Sequence, residues 1–425
     1  MKMNMSCWKR CFWLSIAILL GLAFVPSLHA QMLTVLHNFT GGADGAAPWA
    51  GLTMDSSGNH LYGTARQGGD NGNGTVFRLT KTNGSWTFSP IYKFTGGSDG
   101  ALPSNRVVIG PNGTLYGTAN FGGSTNCTSN PGCGTVYNLT PPPTFPRTPL
   151  TPWRQTVIYS FQGGSDGAYP GFGDLTFDSS GNIYGTASQG GITASQCYSQ
   201  GCGVVYKLTG SGQNFTQSLV YSFTGGSDGS WPLNNVVFDR SGNAYTTAGM
   251  NGTDGGGTVI ELTPSGGGWT ESTIHEFAPA SDGSQPWAGL VFDASGNLYG
   301  DTSSVGPDGG GTAFELTPSG GSWTYSLLQS FSGGTQAGPL ANLVMDASGN
   351  LYGTTAIAGA FSQGAVFKLT RTESGWTYSS LHDFTGGSDG GSPHCNVIFD
   401  SAGNIYGTTA AGGANGQGVV FEITP

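Results

Sequence analysis

A unit centred on tyrosine recurs seven times in this chain, at Tyr62, Tyr116, Tyr184, Tyr245, Tyr299, Tyr352 and Tyr406. The steps between copies are 54, 68, 61, 54, 53 and 54 residues. A period of this size marks stacked supersecondary units, each burying its apolar face against the next, and argues against a fold built around one asymmetric core. The fifth copy shows the pattern most fully: Trp287 to Gly300, a glycine-rich gap, Gly311 to Thr317, then Trp323 to Phe331.

Each copy holds four short runs of alternating or wholly apolar residues, separated by Gly, Asn, Asp or Pro, and none keeps a helical period. In the fifth copy the runs are 289–293, 297–302, 311–317 and 323–331. Four such strands per repeat make a propeller blade. Asp293 to Asn297 supplies the first hairpin, with Gly296 taking a positive φ and Asp293 bonding back to turn amides. Six copies carry this Asp, and Gly110 replaces it in the second. The last copy reaches only its third run, Phe421 to Pro425, whereas Leu33 to Phe39 matches the fourth run of other copies, such as Ser380 to Phe384. The expected fold is therefore all-β: a seven-bladed β-propeller of four-stranded antiparallel blades, the ring closed by the N-terminal strand pairing into the last blade. As one domain over 31–425, its blades fall near 51–94, 106–161, 174–223, 235–277, 289–331, 342–384, and 396–425 with 33–39.

Lys2, Lys9 and Arg10 precede an apolar stretch from Cys11 to Val25, and Ser27-Leu28-His29-Ala30 ends on a small residue. This reads as a secretory signal peptide over 1–30, with a mature protein that is extracellular, periplasmic or associated with the cell surface. No later segment is apolar enough to span a bilayer. Losing three bases and no acid moves the formal charge from −10 to −13. A chain so acidic lacks the electrostatic footprint of a nucleic-acid-binding protein. Glycine reaches 75 of 425 residues, but at fixed places beside aromatic and β-branched residues, which speaks for turns and against disorder.

Export permits disulfides. Cys127 and Cys133 bracket one loop, and Cys197 and Cys202 bracket the equivalent loop of the next copy, so two small rings are expected. Each is worth about 2 kcal/mol, a clip on a loop and not the support of the fold. The C-x5-C and C-x4-C spacings lack a supporting His, so no metal site is read here and no cofactor is implied. Cys395 stands alone.

The units Gly-Leu-Val-Phe-Asp-x-x-Gly-Asn-Leu-Tyr-Gly-Thr and Gly-Thr-Val-Phe-Lys-Leu-Thr, followed by Trp-Thr and then Phe-x-Gly-Gly-x-Asp-Gly, resemble the GloVer-type tandem repeats of secreted bacterial proteins. The resemblance covers about residues 33–425 and is repeated seven times. It implies an exported repeat protein, often carrying a C-terminal sorting anchor, a feature this sequence does not show. It brings no established reaction or substrate.

The loop from each outer strand to the next inner strand reads Gly-Gly-Ser-Asp-Gly or close to it, with Asp44, Asp99, Asp166, Asp228, Asp282 and Asp389; the sixth copy has Gln336 nearby. A ring of carboxylates suits a cation or sugar hydroxyls, yet acids that obey the repeat this closely are better read as capping their own turns. One carboxylate per loop is also too few for a strong calcium site. Departures from the repeat say more. Where the inner strand begins, the copies carry Gly51, Arg106, Asp174, Asn235, Gly289, Asn342 and Asn396, the last preceded by His394 and Cys395. If inner strands line the axis, Arg106, Asp174, Asn235, Asn342, Asn396 and His394 gather at one mouth. They form either a polar binding site or a hydrated channel held by an Arg–Asp pair.

Trp49, Trp231 and Trp287 follow the Asp-bearing loops and are the aromatics suited to stacking on a sugar. Asp301 is the one extra acid in a second strand. With Asp254 and Asp308 it offers a local acidic patch, but a paired-carboxylate hydrolase needs two acids about 5 to 10 Å apart across a cleft, and solvated surface acids are the better reading. His37, His275 and His382 share a slot that other copies fill with Tyr92, Tyr159, Tyr221 or Gln329, and read as packing alternatives. No nucleophile elbow, His-Glu-x-x-His helix or phosphate loop is present. The preferred reading is a monomeric, non-catalytic propeller scaffold that binds an extracellular polysaccharide or cell-surface protein through its loop face. The alternatives are a polysaccharide lyase or glycosidase acting at that face, and a structural envelope or matrix component.

Overall fold

The structure is a computed structural model that describes residues 31–127, 131–143, 152–197, 200–334 and 337–425. The signal peptide read over 1–30 and Gln336 lie outside them. The described residues form seven four-stranded antiparallel sheets, and the chain is a seven-bladed β-propeller. In the fifth blade the strands are Val291–Phe292, Leu298–Thr302, Gly309–Ser319 and Ser322–Ser332. The innermost strand is shorter than its apolar run, as in the other blades, and just before it Gly289 gives its amide to Asn342 Oδ1 of the next blade (2.6 Å). The outer pair is longer, joined by Gly320 and Gly321 at φ +59° and +89°, the two positive values a tight hairpin needs.

The first hairpin forms as the sequence implies. Asp293 Oδ1 accepts from Ser295 N at 2.8 Å and Asn297 N at 2.9 Å, while Oδ2 accepts from Asn297 Nδ2 at 2.8 Å. In the second blade, where Gly110 replaces the acid, a 3-10 turn at Pro111–Gly113 makes the connection.

The core lies between blades. Tyr245, Val259 and Phe277 of the fourth blade form one buried cluster with Leu290, Leu298, Phe314 and Leu316 of the fifth. Phe39, Leu52, Leu61 and Phe77 join Tyr406 and Val420 across the seam. That seam is closed by Met32–Asn38, which pairs antiparallel with Val419–Thr424 from Met32 opposite Thr424 to Asn38 opposite Val419, with one bulge between Val35 and His37. The paired strand satisfies an edge that would otherwise face solvent.

A second joint recurs around the ring. The glycine opening the third strand packs on a proline of the next blade. A Cβ on Gly74, Gly257 or Gly418 would lie 2.6, 2.6 or 2.7 Å from Cδ of Pro103, Pro286 or Pro48. The residue before each of these prolines is held at positive φ: Ala47 49°, Leu102 53°, Gln285 60°, and likewise Trp231 60° before Pro232. A residue before proline normally prefers extended backbone. It is held here from both sides: Gln285 gives its N–H to Gly256 O of the preceding blade and accepts Ser303 N of its own.

Both expected disulfides are formed, Cys127–Cys133 and Cys197–Cys202, with Cα atoms 5.3 and 5.0 Å apart. They sit on Gly163 and Gly225 of the adjoining loops, where a side chain would strike the sulfur. Cys395 is buried as a free thiol. Among the described residues no helix is long and apolar enough to cross a membrane.

Candidate ligand site at the mouth of the central channel

The loop acids are spent where they stand. Asp99 accepts from Thr95 N (2.8 Å) and Tyr92 OH (2.9 Å), and Asp166 from Gln162 N (2.9 Å) and Tyr159 OH (2.8 Å). Asp228 repeats this with Thr224 and Tyr221. Asp44 and Asp389 use His37 and His382 for the tyrosine, and Asp282 faces His275 at 3.3 Å. The outer-strand slot is thus more than a packing position. A β-bulge just before it, as between Val76 and Phe77 on the partner strand, turns the ring toward the acid seven residues on. Burial is the largest influence on His37 and His275 and lowers their pKa, with Asp44 and Asp282 opposing it.

Departures from the repeat converge on the axis. Arg106 gives both its backbone N–H and Nε to the Asp174 carboxylate, each at 3.0 Å, tying the second blade to the third. Asn342 Nδ2 donates to Asn235 Oδ1 at 3.1 Å, passing over the fifth blade, where Gly289 leaves the room. Asn396 lies over Gly51 in the same way. These seven positions make a polar girdle, and the two glycines are where a neighbour's asparagine takes the space.

Above the girdle opens a cavity of about 390 Å³. It receives a side chain from every blade: Trp49, Ser104, Phe172, Leu233, Trp287, Leu340 and His394 stand just after the seven joint prolines, and Tyr169 and Trp231 stand just before two of them. Equivalent positions of all blades meet only on the axis, which identifies the cavity as the channel mouth. A smaller hollow of about 50 Å³ continues toward Arg106, Asp174, Asn342 and Asn396. The volume is that of a small-ligand pocket, largely apolar with a few polar groups.

The aromatics are not equivalent. Trp49 is stacked on His394 (4.9 Å, planes within 6°) and carries the Arg66 guanidinium 4.2 Å from its ring centre. Burial, reinforced by Arg66, takes the His394 pKa down to about 4, so this imidazole is neutral at physiological pH. Trp287 lies against Gly249, where any side chain would collide with its indole. Phe172 comes from the longer third-blade segment and is 38% exposed at the rim. Asn120, only 4% exposed, lines the cavity with a carbonyl oxygen that no group among the described residues satisfies. Phe172 and Asn120 were not singled out from the sequence: Phe172 stands in a one-residue insertion, and Asn120 in a slot the other blades fill with Arg66, Ser188, Gly249, Ser303, Ala356 or Ala410.

Asp301 corrects the sequence reading. It is not a solvated surface acid but is 1% exposed, with neither carboxylate oxygen hydrogen-bonded as an acceptor. Asp254 and Asp308 are exposed, so the three form no common patch. The strand repeat puts Asp301 opposite Ala313, in the register that places threonine inside the interface between blades. Among the described residues no group of three or more His, Cys, Asp or Glu is arranged to hold a metal ion.

The fold and mouth define a closed propeller with a ligand-sized axial pocket. The Gloeobacter/Verrucomicrobia repeat matches residues 20–196, 191–378 and 324–425, and the chain belongs to that family. No curated protein sequence matches it. Among solved structures, a polysaccharide lyase described as an ulvan lyase is similar at 11% identity and TM-score 0.53, covering 89% of this chain and 93% of its own. A protein assigned as a 6-phosphogluconolactonase from Bacteroides fragilis NCTC 9343 is similar at 14% identity and TM-score 0.52, covering 87% and 98%. At these identities the likeness is one of fold.

Proposed function

We propose that the protein is a secreted binding scaffold whose channel mouth takes a ring of an extracellular polysaccharide. The observation that carries this is the convergence of Trp231, Trp287, Phe172 and Tyr169 from three blades on one cavity above the polar girdle. Sugar rings present an apolar face to aromatics and hydroxyls to amides, and the unsatisfied Asn120 carbonyl supplies one such acceptor. Among the described residues lining the mouth and the hollow beneath it, the only carboxylate is Asp174, in the hollow, and it is engaged by Arg106, which favours recognition over acid–base chemistry there. The rigid blades hold these groups without needing to move.

The test is a polysaccharide panel presented to residues 31–425, each incubation also assayed for new reducing ends and unsaturated products. Saturable binding without products is the expected result. Product formation would make the protein a lyase or glycosidase, and no binding to any member would remove the saccharide reading.

A further inference from the structure

In six blades the second strand ends in the same device. The threonine two residues after the repeat tyrosine gives its hydroxyl proton to a backbone carbonyl of the next blade's mouth segment. Thr64 donates to Asn105 O at 2.9 Å, Thr118 to Pro170 O at 2.5 Å and Thr186 to Asn234 O at 2.6 Å. Thr247 donates to Pro286 O at 2.6 Å, Thr354 to Cys395 O at 2.7 Å and Thr408 to Ala50 O at 2.8 Å. Each bond seats the segment that carries that blade's mouth residue. In the fifth blade this position is Asp301.

We propose that Asp301 is a positioning residue for the mouth: it is a neutral carboxylic acid whose single proton replaces the threonine hydroxyl and binds the sixth-blade segment between Pro339 and Ala341. An ionised carboxylate has only lone pairs and cannot donate to a carbonyl oxygen such as the threonine hydroxyl serves in the other six blades. A carboxylic acid has one O–H and restores the bond the other six blades make. The side chain is buried, and neither oxygen accepts a hydrogen bond.

Among the described residues no compensating charge is at hand. The segment 337–345 and the strand Val291–Phe292 carry no titratable side chain. On Gly309–Ser319, Glu315 is engaged by Tyr299 at 2.8 Å, and Asp308 is exposed in the preceding loop. Burial is accordingly the one cause acting on the acid, and it raises the pKa well above the ordinary aspartate value. The segment Asp301 holds contains Leu340 of the cavity wall and leads into Asn342 of the girdle. The link to ligand binding rests on the proposed function, whereas the protonation state does not.

A group that stays protonated when folded and ionises when unfolded releases a proton on unfolding, so its contribution to stability falls as pH rises above about 4. The experiment compares wild-type 31–425 with Asp301→Thr, which restores the repeat's own residue, and with Asp301→Asn. Against Asp301→Thr, wild type is expected to melt at a similar temperature at pH 4 and to fall behind by about 5 °C at pH 7. Asp301→Asn is expected to follow Asp301→Thr in its pH dependence. An offset independent of pH would overturn the proposal. Wild type labelled with 13C-aspartate supplies a measurement that needs no variant: a protonated-carboxyl infrared band persisting at pH 7 is expected, and its absence would also overturn it. If mouth and proton are linked, a saccharide found by the panel dissociates faster at pH 8 than at pH 6 from wild type but not from Asp301→Thr. Equal behaviour would remove the link while leaving saccharide binding in place.

Discussion

Gly257 and Pro286 meet across the joint between the fourth and fifth blades so closely that a Cβ on the glycine would lie 2.6 Å from the proline Cδ. The same glycine sits at φ +96° and gives its carbonyl to Phe277 N at 3.0 Å. Gly257→Ala is therefore expected to lose about 2 to 4 kcal/mol, combining backbone strain with overpacking. Gly266→Ala in the outer hairpin, at φ +58° with open space around it, should lose only about 1 kcal/mol. Urea unfolding of the two variants checks the difference, and equal losses would show that the joint contributes nothing beyond its backbone conformation.

Ring closure makes a larger claim on the same interface. Deleting residues 31–40 removes the strand paired to Val419–Thr424 and the buried Phe39. A clear fall in melting temperature and a rise in self-association are expected, because a full-length edge becomes exposed. An unchanged melting temperature would contradict closure.

The Arg106–Asp174 pair is half-buried and ties two blades. Asp174→Ala should cost more than replacing both residues together, since the single change leaves a half-buried guanidinium without its acceptor, whereas the backbone N–H of residue 106 loses its acceptor in both. A double-mutant cycle measures this, with a coupling of about 1 to 2 kcal/mol expected.

Asp400 responds to pH in the opposite sense to Asp301. Burial is the largest influence on Asp400 and raises its pKa. The bonds from Asn404, Tyr406 and Ala402 together outweigh it and hold the pKa below the usual carboxylate value. A depressed pKa contributes stability above the unfolded value, lost as pH falls through the folded one. Asp400→Asn should thus be less stable than wild type at pH 7 and converge with it below about pH 4. Melting curves from pH 7 to pH 3 report the convergence.

The disulfides close rings of sequence separation 6 and 5. Replacing either pair by serine should cost about 2 kcal/mol and leave the propeller folded, as judged by far-UV circular dichroism and melting.

The repeat made blade count, strand order, turn acids and ring closure legible, because each depends on residues within one copy or on matching the two ends. What escaped sequence reading depends on the neighbouring blade. Gly257 looks like any loop glycine until Pro286 is placed on it. Trp49 reads like Trp287 until His394 and Arg66 are seen to occupy it. Asp301 resembles a surface acid because a strand sequence does not say which of its two faces meets the next sheet. Gly51 and Gly289 likewise look like simple gaps in a polar series, when they are the spaces Asn396 and Asn235 fill.

The most direct test of the account is calorimetric titration of the panel's best saccharide into wild type and into Trp231→Ala, Trp287→Ala and Phe172→Ala. Wild type is expected to bind saturably and these variants at least tenfold more weakly, a loss of about 1.4 kcal/mol or more, with Asp99→Asn, outside the cavity lining, binding normally. Binding that survives all three mouth substitutions, or that is lost with Asp99 instead, would place recognition elsewhere and contradict it.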